Sequence, residues 1–429
     1  MRSDRRSVRR RAVLKALGVG VAAPLVVGGV ASTADAASES WTVVVLSDTQ
    51  KYAENSSLVS YAHDQTRWVV DNHEAENVRF VTHCGDVVEN PEERTEWERM
   101  DEVMARLDGV VPYSTVPGNH DWVGWFDPRS IEHYRSYFGP ARYDGRSWYG
   151  GSGPDGLSHY QFFAAGGYEF LHLGLEWEVP GSADDPATPF GWARQLLRRY
   201  ADRPTIVTTH SYLRDDGDRM ERVQGDWGET TVDGNPDPNR ATGNAGETTW
   251  RELVRTNSQI FAVFNGHFSR DGGESFRVSE NDDGLPVYQI MADYQRRRRG
   301  GEGWLRLVSF LPGDGAGGDD RIQVRTYSPS LGVFETDADS EFGFDLRFAE
   351  RFAPSGGDGE GEEDDPEDET LAGDVDGDGD IDADDVGLVQ RRIARYDDDV
   401  DETAADVDGD GDVDIADAIA IRNRIGTER

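Results

Sequence analysis

Gly118-Asn119-His120-Asp121 stands directly after the β-rich run Val110 to Val116, and it is the third of five polar stretches that each follow a strand pattern. Upstream, Trp41 to Leu46 runs into Ser47-Asp48-Thr49-Gln50, and Val78 to His83 runs into Gly85-Asp86-Val-Val-Glu-Asn90. Downstream, Thr205 to Thr209 ends in His210-Ser211, and Gln259 to Phe264 ends in Asn265-Gly266-His267-Phe268-Ser269. Helical patterns at Leu58 to Asn72 and Glu92 to Leu107 alternate with the first strands, which predicts an α/β fold. In such sheets ligands gather beyond the carboxyl ends of the strands. A lone Asp after a strand is usually a helix cap, and a lone His usually satisfies a hydrogen bond. Five such ends in order, each with a metal-competent residue, predict a shared polar centre.

Composition narrows what that centre contains. The single cysteine, Cys84, excludes a disulfide framework and any cysteine zinc cluster, so metals must be held by oxygen and imidazole. With 83 acidic against 44 basic residues the formal charge is -39, which repels nucleic acid and anionic membranes. Lys15 and Lys51 are the only lysines among those basic residues. Excess carboxylate with so little lysine is the composition of a halophile, where molar salt screens charge within about 3 Å; an acidic secreted protein from a GC-rich genome has the same signature.

The ends of the chain read as separate units. Residues 2–15 hold seven basic residues and one acid, followed by the apolar run Ala16 to Ser32. Arg10-Arg11-Ala12-Val13-Leu14-Lys15 matches a twin-arginine export signal, and Ala34-Asp35-Ala36 supplies a cleavage site. The expected signal peptide is therefore 1–36. A membrane anchor is the alternative, but the run is short of the roughly 20 apolar residues of a span, so no stable membrane span is expected. Residues 354–371 are acid, Gly and Pro and predict an extended acidic linker between a main domain at 37–353 and a small one at 372–429.

That small domain is a repeat. Asp374, Asp376, Asp378, Asp380 and Asp385 recur 32 residues later as Asp406, Asp408, Asp410, Asp412 and Asp417, with Gly379 and Gly411 at the sixth position of each loop. Alternate oxygen donors, a turn glycine and a closing acid at the twelfth position are what a Ca²⁺ loop requires, so two Ca²⁺ ions are expected. Apolar residues after each loop, Val386, Val389 and Ile393, then Ala418, Ile419 and Ile425, predict a short helix. The pair resembles the dockerin type I module, which implies an all-α calcium-binding domain and a cohesin-bearing partner. Ala383-Asp384 and Ile415-Ala416, before the closing acids, depart from the Ser-Thr pairs of many dockerins and leave the partner's identity open. A calcium-stabilised pair without a partner is the alternative.

The five strand ends together resemble the calcineurin-like metallophosphoesterase family, over about residues 40–345. The resemblance implies an α/β/β/α sandwich of two sheets, with two divalent transition metals (Mn, Fe or Zn) between them. It implies that Asp86 bridges the metals, that Asn119, His210 and His267 complete the second site, and that Asp48 and Gln50 hold the first. His120, steered by Asp121, would stabilise or protonate the leaving oxygen, and a bridging hydroxide would hydrolyse a phosphoester substrate, mono- or diester. Gln50 and Ser269 stand where the family pattern has His, which softens the first site and shifts it toward harder ions such as Mn²⁺. A degenerate phosphoesterase fold acting as a binding or scaffold component is the alternative to a secreted enzyme. Among the other candidates, His63 and His73 read as surface or capping groups, and His83 as a core residue bordering the site. Arg296 to Arg299 reads as a solvated turn or a phosphate contact, and 212–246 as a long excursion shaping substrate access.

Overall fold

The computed structural model describes residues 40–124, 130–221, 224–225, 228–229, 243–270, 272–313 and 320–352, together with Val375, Val389, Ala405, Val407 and Val413. The expected signal peptide, the acidic linker, all ten expected Ca²⁺ ligands and residues 222–223, 226–227 and 230–242 of the excursion at 212–246 lie outside the described residues.

In chain order the elements are β1 (Trp41–Leu46), α1 (Gln50–Glu54), α2 (Val59–Asn72), β2 (Val78–His83), α3 (Arg94–Met104), β3 (Tyr113–Thr115) and α4 (Glu132–Phe138). Then come β4 (Tyr149–Ser152), β5 (His159–Ala165), β6 (Tyr168–Gly174), α5 (Pro189–Arg199), β7 (Thr205–Thr208), the ribbon β8 (Gln224–Gly225) and β9 (Gly228–Glu229), and α6 (Gly246–Thr249). The last are β10 (Ile260–Asn265), β11 (Glu274–Glu280), β12 (Pro286–Ala292), β13 (Leu305–Leu311), β14 (Asp320–Ser328), β15 (Val333–Glu335), β16 (Glu341–Leu346) and α7 (Phe348–Phe352).

Two seven-stranded sheets result. One has the order β15-β14-β13-β1-β2-β3, with β16 also on β14; the other has the order β11-β12-β10-β7-β6-β5-β4. The central pairs β1–β2, β2–β3, β6–β7, β7–β10 and β10–β12 are parallel, and antiparallel strands flank them. Every residue of β1 is buried, because both of its faces are covered. Val44 and Leu46 pack outward against Trp97, Met100 and the helices, while Trp41, Val43 and Val45 pack inward against the other sheet. Trp41 stacks on Phe310 with ring centroids 3.8 Å apart, next to the Phe163–Phe170 stack at 4.9 Å. Each large side chain buried in this way stabilises the fold by about 1.5–3 kcal/mol. On the far side α5 begins at Thr188, whose hydroxyl accepts from Gly191 N at 3.2 Å, with Pro189 at its first position. Its buried face of Phe190, Ala193, Leu196 and Leu197 completes the fourth layer. The expected α/β/β/α sandwich is the observed fold.

The run Val110 to Val116 yields a strand of only three residues, Tyr113–Thr115, because Val110 and Val111 donate back to Leu107 O at 3.0 and 3.3 Å and so close a turn. A polar seam crosses between the sheets. Thr82 Oγ1 donates to Thr208 Oγ1 (2.9 Å), and Thr208 Oγ1 lies 2.9 Å from His172 Nε2. His172 Nδ1 meets Gln161 Oε1 (2.9 Å), Gln161 Nε2 meets His159 Nδ1 (3.0 Å), and His159 Nε2 donates to Thr115 O (2.7 Å). With both rings neutral every step has one donor and one acceptor. Burial holds His159 down to about 4 and His172 well below the ordinary histidine range. No helix among the described residues is long and apolar enough to cross a membrane.

Candidate active site

Parallel register delivers the polar loops to one end of the sandwich. Leu46 pairs with His83 and His83 with Thr115, so Asp48, Asp86 and Asn119 leave the first sheet at the same edge. In the second sheet Thr208 pairs with Phe264, and Asn265 with Met291, which carries His210 and His267 to the matching edge. Two of these residues adopt left-handed backbone despite having a β-carbon, Asp86 at φ +50° and His267 at φ +76°. Such conformations persist where surrounding structure enforces them, and they cluster at functional sites. Gly118 is part of that enforcement: a β-carbon there would stand 2.2 Å from Asp86 Oδ1 and 2.4 Å from Asp86 N, so only hydrogen fits.

Asp86, His210 and His267 offer one donor atom each within 4.8 Å of one another. His210 Nε2 lies 3.2 Å from Asp86 Oδ1, 3.0 Å from Asn119 Oδ1 and 3.0 Å from His267 Nδ1, while its Nδ1 meets Cys84 O at 2.8 Å. A ring anchored through one nitrogen and surrounded by donors at the other is oriented for a metal. Asp48 accepts from His267 N at 3.2 Å, which ties the first strand end to the last. Gln50 opens α1 with its Oε1 buried and without a hydrogen-bond partner. His120 donates its backbone NH to Asp86 Oδ1 at 2.9 Å, and its ring Nδ1 lies 3.3 Å from Glu89 O and 3.7 Å from Glu89 Oε2.

The electrostatics are those of a cation site. Burial, then Asp293 and Asp86, pushes Asp48 well above the usual carboxylate range. Burial would raise Asp86 too, but His210 and His120 hold it well below that range. Burial opposes charge on His210, yet Asp86 prevails and raises it, whereas burial and the neighbouring His210 push His267 down to about 3. Burial, helped by Asp86 and resisted by Gln295, pushes Asp293 up to about 6. Several buried carboxylates raising one another mark a place where positive charge is missing.

Residues 42–267 match the calcineurin-like phosphoesterase family. The chain belongs to it. Residues 372–426 match the dockerin type I domain, so this calcineurin-like phosphoesterase carries a dockerin at its C-terminal side. It is 33% identical over 300 residues to the uncharacterized protein YvnB of Bacillus subtilis (strain 168); the match spans 68% of this chain but only 20% of that protein. Among solved structures, GAP50, described as the anchor in the inner membrane complex of Plasmodium, is 10% identical over 72% of this chain and 90% of its own, with a TM-score of 0.39. The purple acid phosphatase PPD1 from yellow lupin (Lupinus luteus) seeds is 13% identical over 74% of this chain and 56% of its own, with a TM-score of 0.44.

For the divalent metals that the calcineurin-like phosphoesterase family implies, the donor set fits: a carboxylate between two imidazoles on one side, and an orphaned buried amide oxygen at Gln50 beside Asp48 on the other. The structure thus brings Asp86, Asn119, His120, His210 and His267 together, with Asp48 joined to them through His267. Asp121, expected to steer His120, is engaged elsewhere. Its Oδ2 accepts from Gly118 N at 2.7 Å and Val87 N at 3.2 Å, and its Oδ1 from Val88 N at 3.1 Å, so it shapes the two loops. The carboxylate facing the His120 ring is Glu89, itself held by Lys51 Nζ at 2.8 Å. His83 is a core residue, bonded to Thr49 Oγ1 at 2.9 Å and Gly85 N at 3.2 Å. In the arginine run, Arg297 binds Glu274 and Glu335, and Arg298 and Arg299 pair with Glu302. Sequence reasoning missed Asp293 and Gln295, just past β12; a strand end carrying Asp was the available signal. A cavity of about 1220 Å³ opens at the opposite strand ends, around Asn77, Pro112, Glu169 and Arg203, and is lined by none of these residues.

Proposed function

We propose that the chain is an exported, metal-dependent phosphoesterase that hydrolyses phosphomonoesters or phosphodiesters and is tethered through its dockerin to a cohesin-bearing protein. The observation that carries this reading is the convergence of Asp86, His210 and His267 donors within 4.8 Å at adjoining strand ends of two sheets. Asp86, placed between the two sides, would be shared by both metals; Asn119, His210 and His267 would hold one, and Asp48 and Gln50 the other. When bound, such a pair lowers the pKa of a water and clamps the phosphoryl oxygens during in-line attack. His120, partly exposed beside Asp86, is placed to hand a proton to the leaving oxygen. Glu89, held in place by Lys51, lies 3.7 Å from the other side of that ring and orients it. The twin-arginine pattern at Arg10-Arg11 and the acidic linker at 354–371 support export of a folded domain at 37–353 that carries a separate module at 372–429. The low lysine content supports a high-salt habitat.

The test is hydrolysis of p-nitrophenyl phosphate and of its bis ester by the full chain in molar salt, with Mn²⁺, Zn²⁺, Fe²⁺ or Mg²⁺ supplied. Turnover that requires metal is expected. A chain that binds metal yet hydrolyses neither ester would be the scaffold component instead.

A further inference from the structure

The family pattern takes two imidazoles at the first metal site, and this chain has Gln50 and Ser269 in their places. An amide oxygen and a neutral hydroxyl leave the site short of charge. β12 fills the gap. It runs parallel to β10 with Asn265 paired to Met291, so His267 and Asp293 each lie two residues past the last paired position. A β-carbon at Gly273 would stand 1.8 Å from Asp293 O and 3.5 Å from the Ser269 Cα, so Asp293 leaves its strand beside the vacated imidazole position. Asp293 is 1% exposed, and among the described residues the side-chain donor it meets is shared with Asp48: Gln295 Nε2 lies 2.8 Å from Asp293 Oδ2 and 3.4 Å from Asp48 Oδ2. One amide nitrogen therefore sits between two buried carboxylates, where a cation would be better matched. Within the same loop system Gln50 Oε1 is buried and unpartnered.

We infer that Asp293 is a ligand of the first metal, replacing the imidazole absent at position 269 and making that site all-oxygen, with Asp48, Asp86 and Gln50 as its other donors. The inference rests on the two-metal reading above. It also predicts a division of labour: oxygen donors alone select hard ions such as Mn²⁺ or Mg²⁺, whereas the side with His210 and His267 suits Zn²⁺ or Fe.

The experiment counts Mn²⁺ bound to the metal-stripped full chain from the electron paramagnetic resonance signal of the free ion, in excess Ca²⁺ so that the C-terminal loops are occupied. Wild type should bind two Mn²⁺. Asp293→Asn should bind one normally and the other at least about 100-fold more weakly, beyond the roughly 10–100-fold loss of an outer-shell partner. Adding Ser269→His to Asp293→Asn should restore the second ion. If Asp293→Asn fails to fold, Ser269→His alone, in an otherwise unchanged chain, should leave both ions bound within about 10-fold of wild type, because Asp293 already takes that position. Wild-type affinities in Asp293→Asn, or tightening of one ion well beyond about 10-fold by Ser269→His alone, would overturn the assignment of Asp293. Fewer than two Mn²⁺ in wild type would overturn the two-metal reading itself.

Discussion

Gly266→Ala is the smallest change that should disable the site while leaving the backbone in place. Gly266 lies outside the left-handed region, so alanine can adopt its conformation. Its new β-carbon, however, would stand 2.1 Å from Asp48 Oδ1, with Asp48 Cγ at 3.2 Å and Cys84 Cβ at 3.4 Å. Ordinary contact begins near 3.4 Å, so the carboxylate must retreat by roughly 1.3 Å and abandon the His267 amide, and a misplacement of about 1 Å costs on the order of 100-fold in rate. That is about 2.7 kcal/mol of transition-state stabilisation. Overpacking should cost the fold about 1–3 kcal/mol. The assay is metal-dependent ester hydrolysis beside thermal unfolding, with Gly109→Ala as the control. Gly109 has φ +75° and nothing within 4 Å of an added β-carbon, so that variant should lose stability and keep its rate. If Gly266→Ala turns over at the wild-type rate, Asp48 does not serve the reacting centre.

Other outcomes follow from the same geometry. Asp86→Asn should reduce turnover at least about 1000-fold and lower the metal content measured by elemental analysis, with near-native circular dichroism; a variant keeping most of its rate would remove Asp86 from the mechanism. His159 is held neutral at about 4 in the fold, so the unfolded chain binds the extra proton between that value and about 6.5, and stability falls as pH drops through this window. His159→Gln should flatten urea-unfolding stability against pH by up to about 1.4 kcal/mol per unit there, and an unchanged slope would contradict the seam. Addition of Ca²⁺ to the full chain should raise helical circular dichroism, and Asp374→Ala with Asp406→Ala should abolish that rise without altering ester hydrolysis. A charge of -39 predicts a melting temperature that climbs with KCl; a flat response would dismiss the high-salt reading.

The parts of the fold legible in the sequence were those with uninterrupted periodicity. β1 and β10 are nearly continuous apolar runs because both faces are covered, β2 buries every residue except Arg79, and α2 and α3 carry helical spacing. β5 and β6 were not read, since His159, Gln161 and His172 place polar atoms where an alternating strand should be apolar. Those atoms are satisfied by one another and by Thr208, with Thr115 and Thr82 of the facing sheet closing the two ends of the chain. At the centre, residues announced by glycine and histidine were readable, whereas Asp293, between Ala292 and Tyr294, resembled any aspartate after a strand. The setting of His120 was hidden for a related reason: Asp121, its neighbour in sequence, binds the amides of Gly118, Val87 and Val88, while Glu89 approaches the His120 ring from a different loop.

The residues proposed to hold metal are divided between the sheets: Asp48, Asp86 and Asn119 follow strands of one, and His210, His267 and Asp293 strands of the other. On that proposal neither half alone would hold a complete coordination sphere, so tight loading would wait until Trp41, Phe170 and Phe310 have closed the sandwich. Metal capture would then come late in the life of each newly made chain, and the ions taken would be those present where folding finishes. The cell's choice of folding compartment would thus bear on the metal content alongside the donors' own preferences.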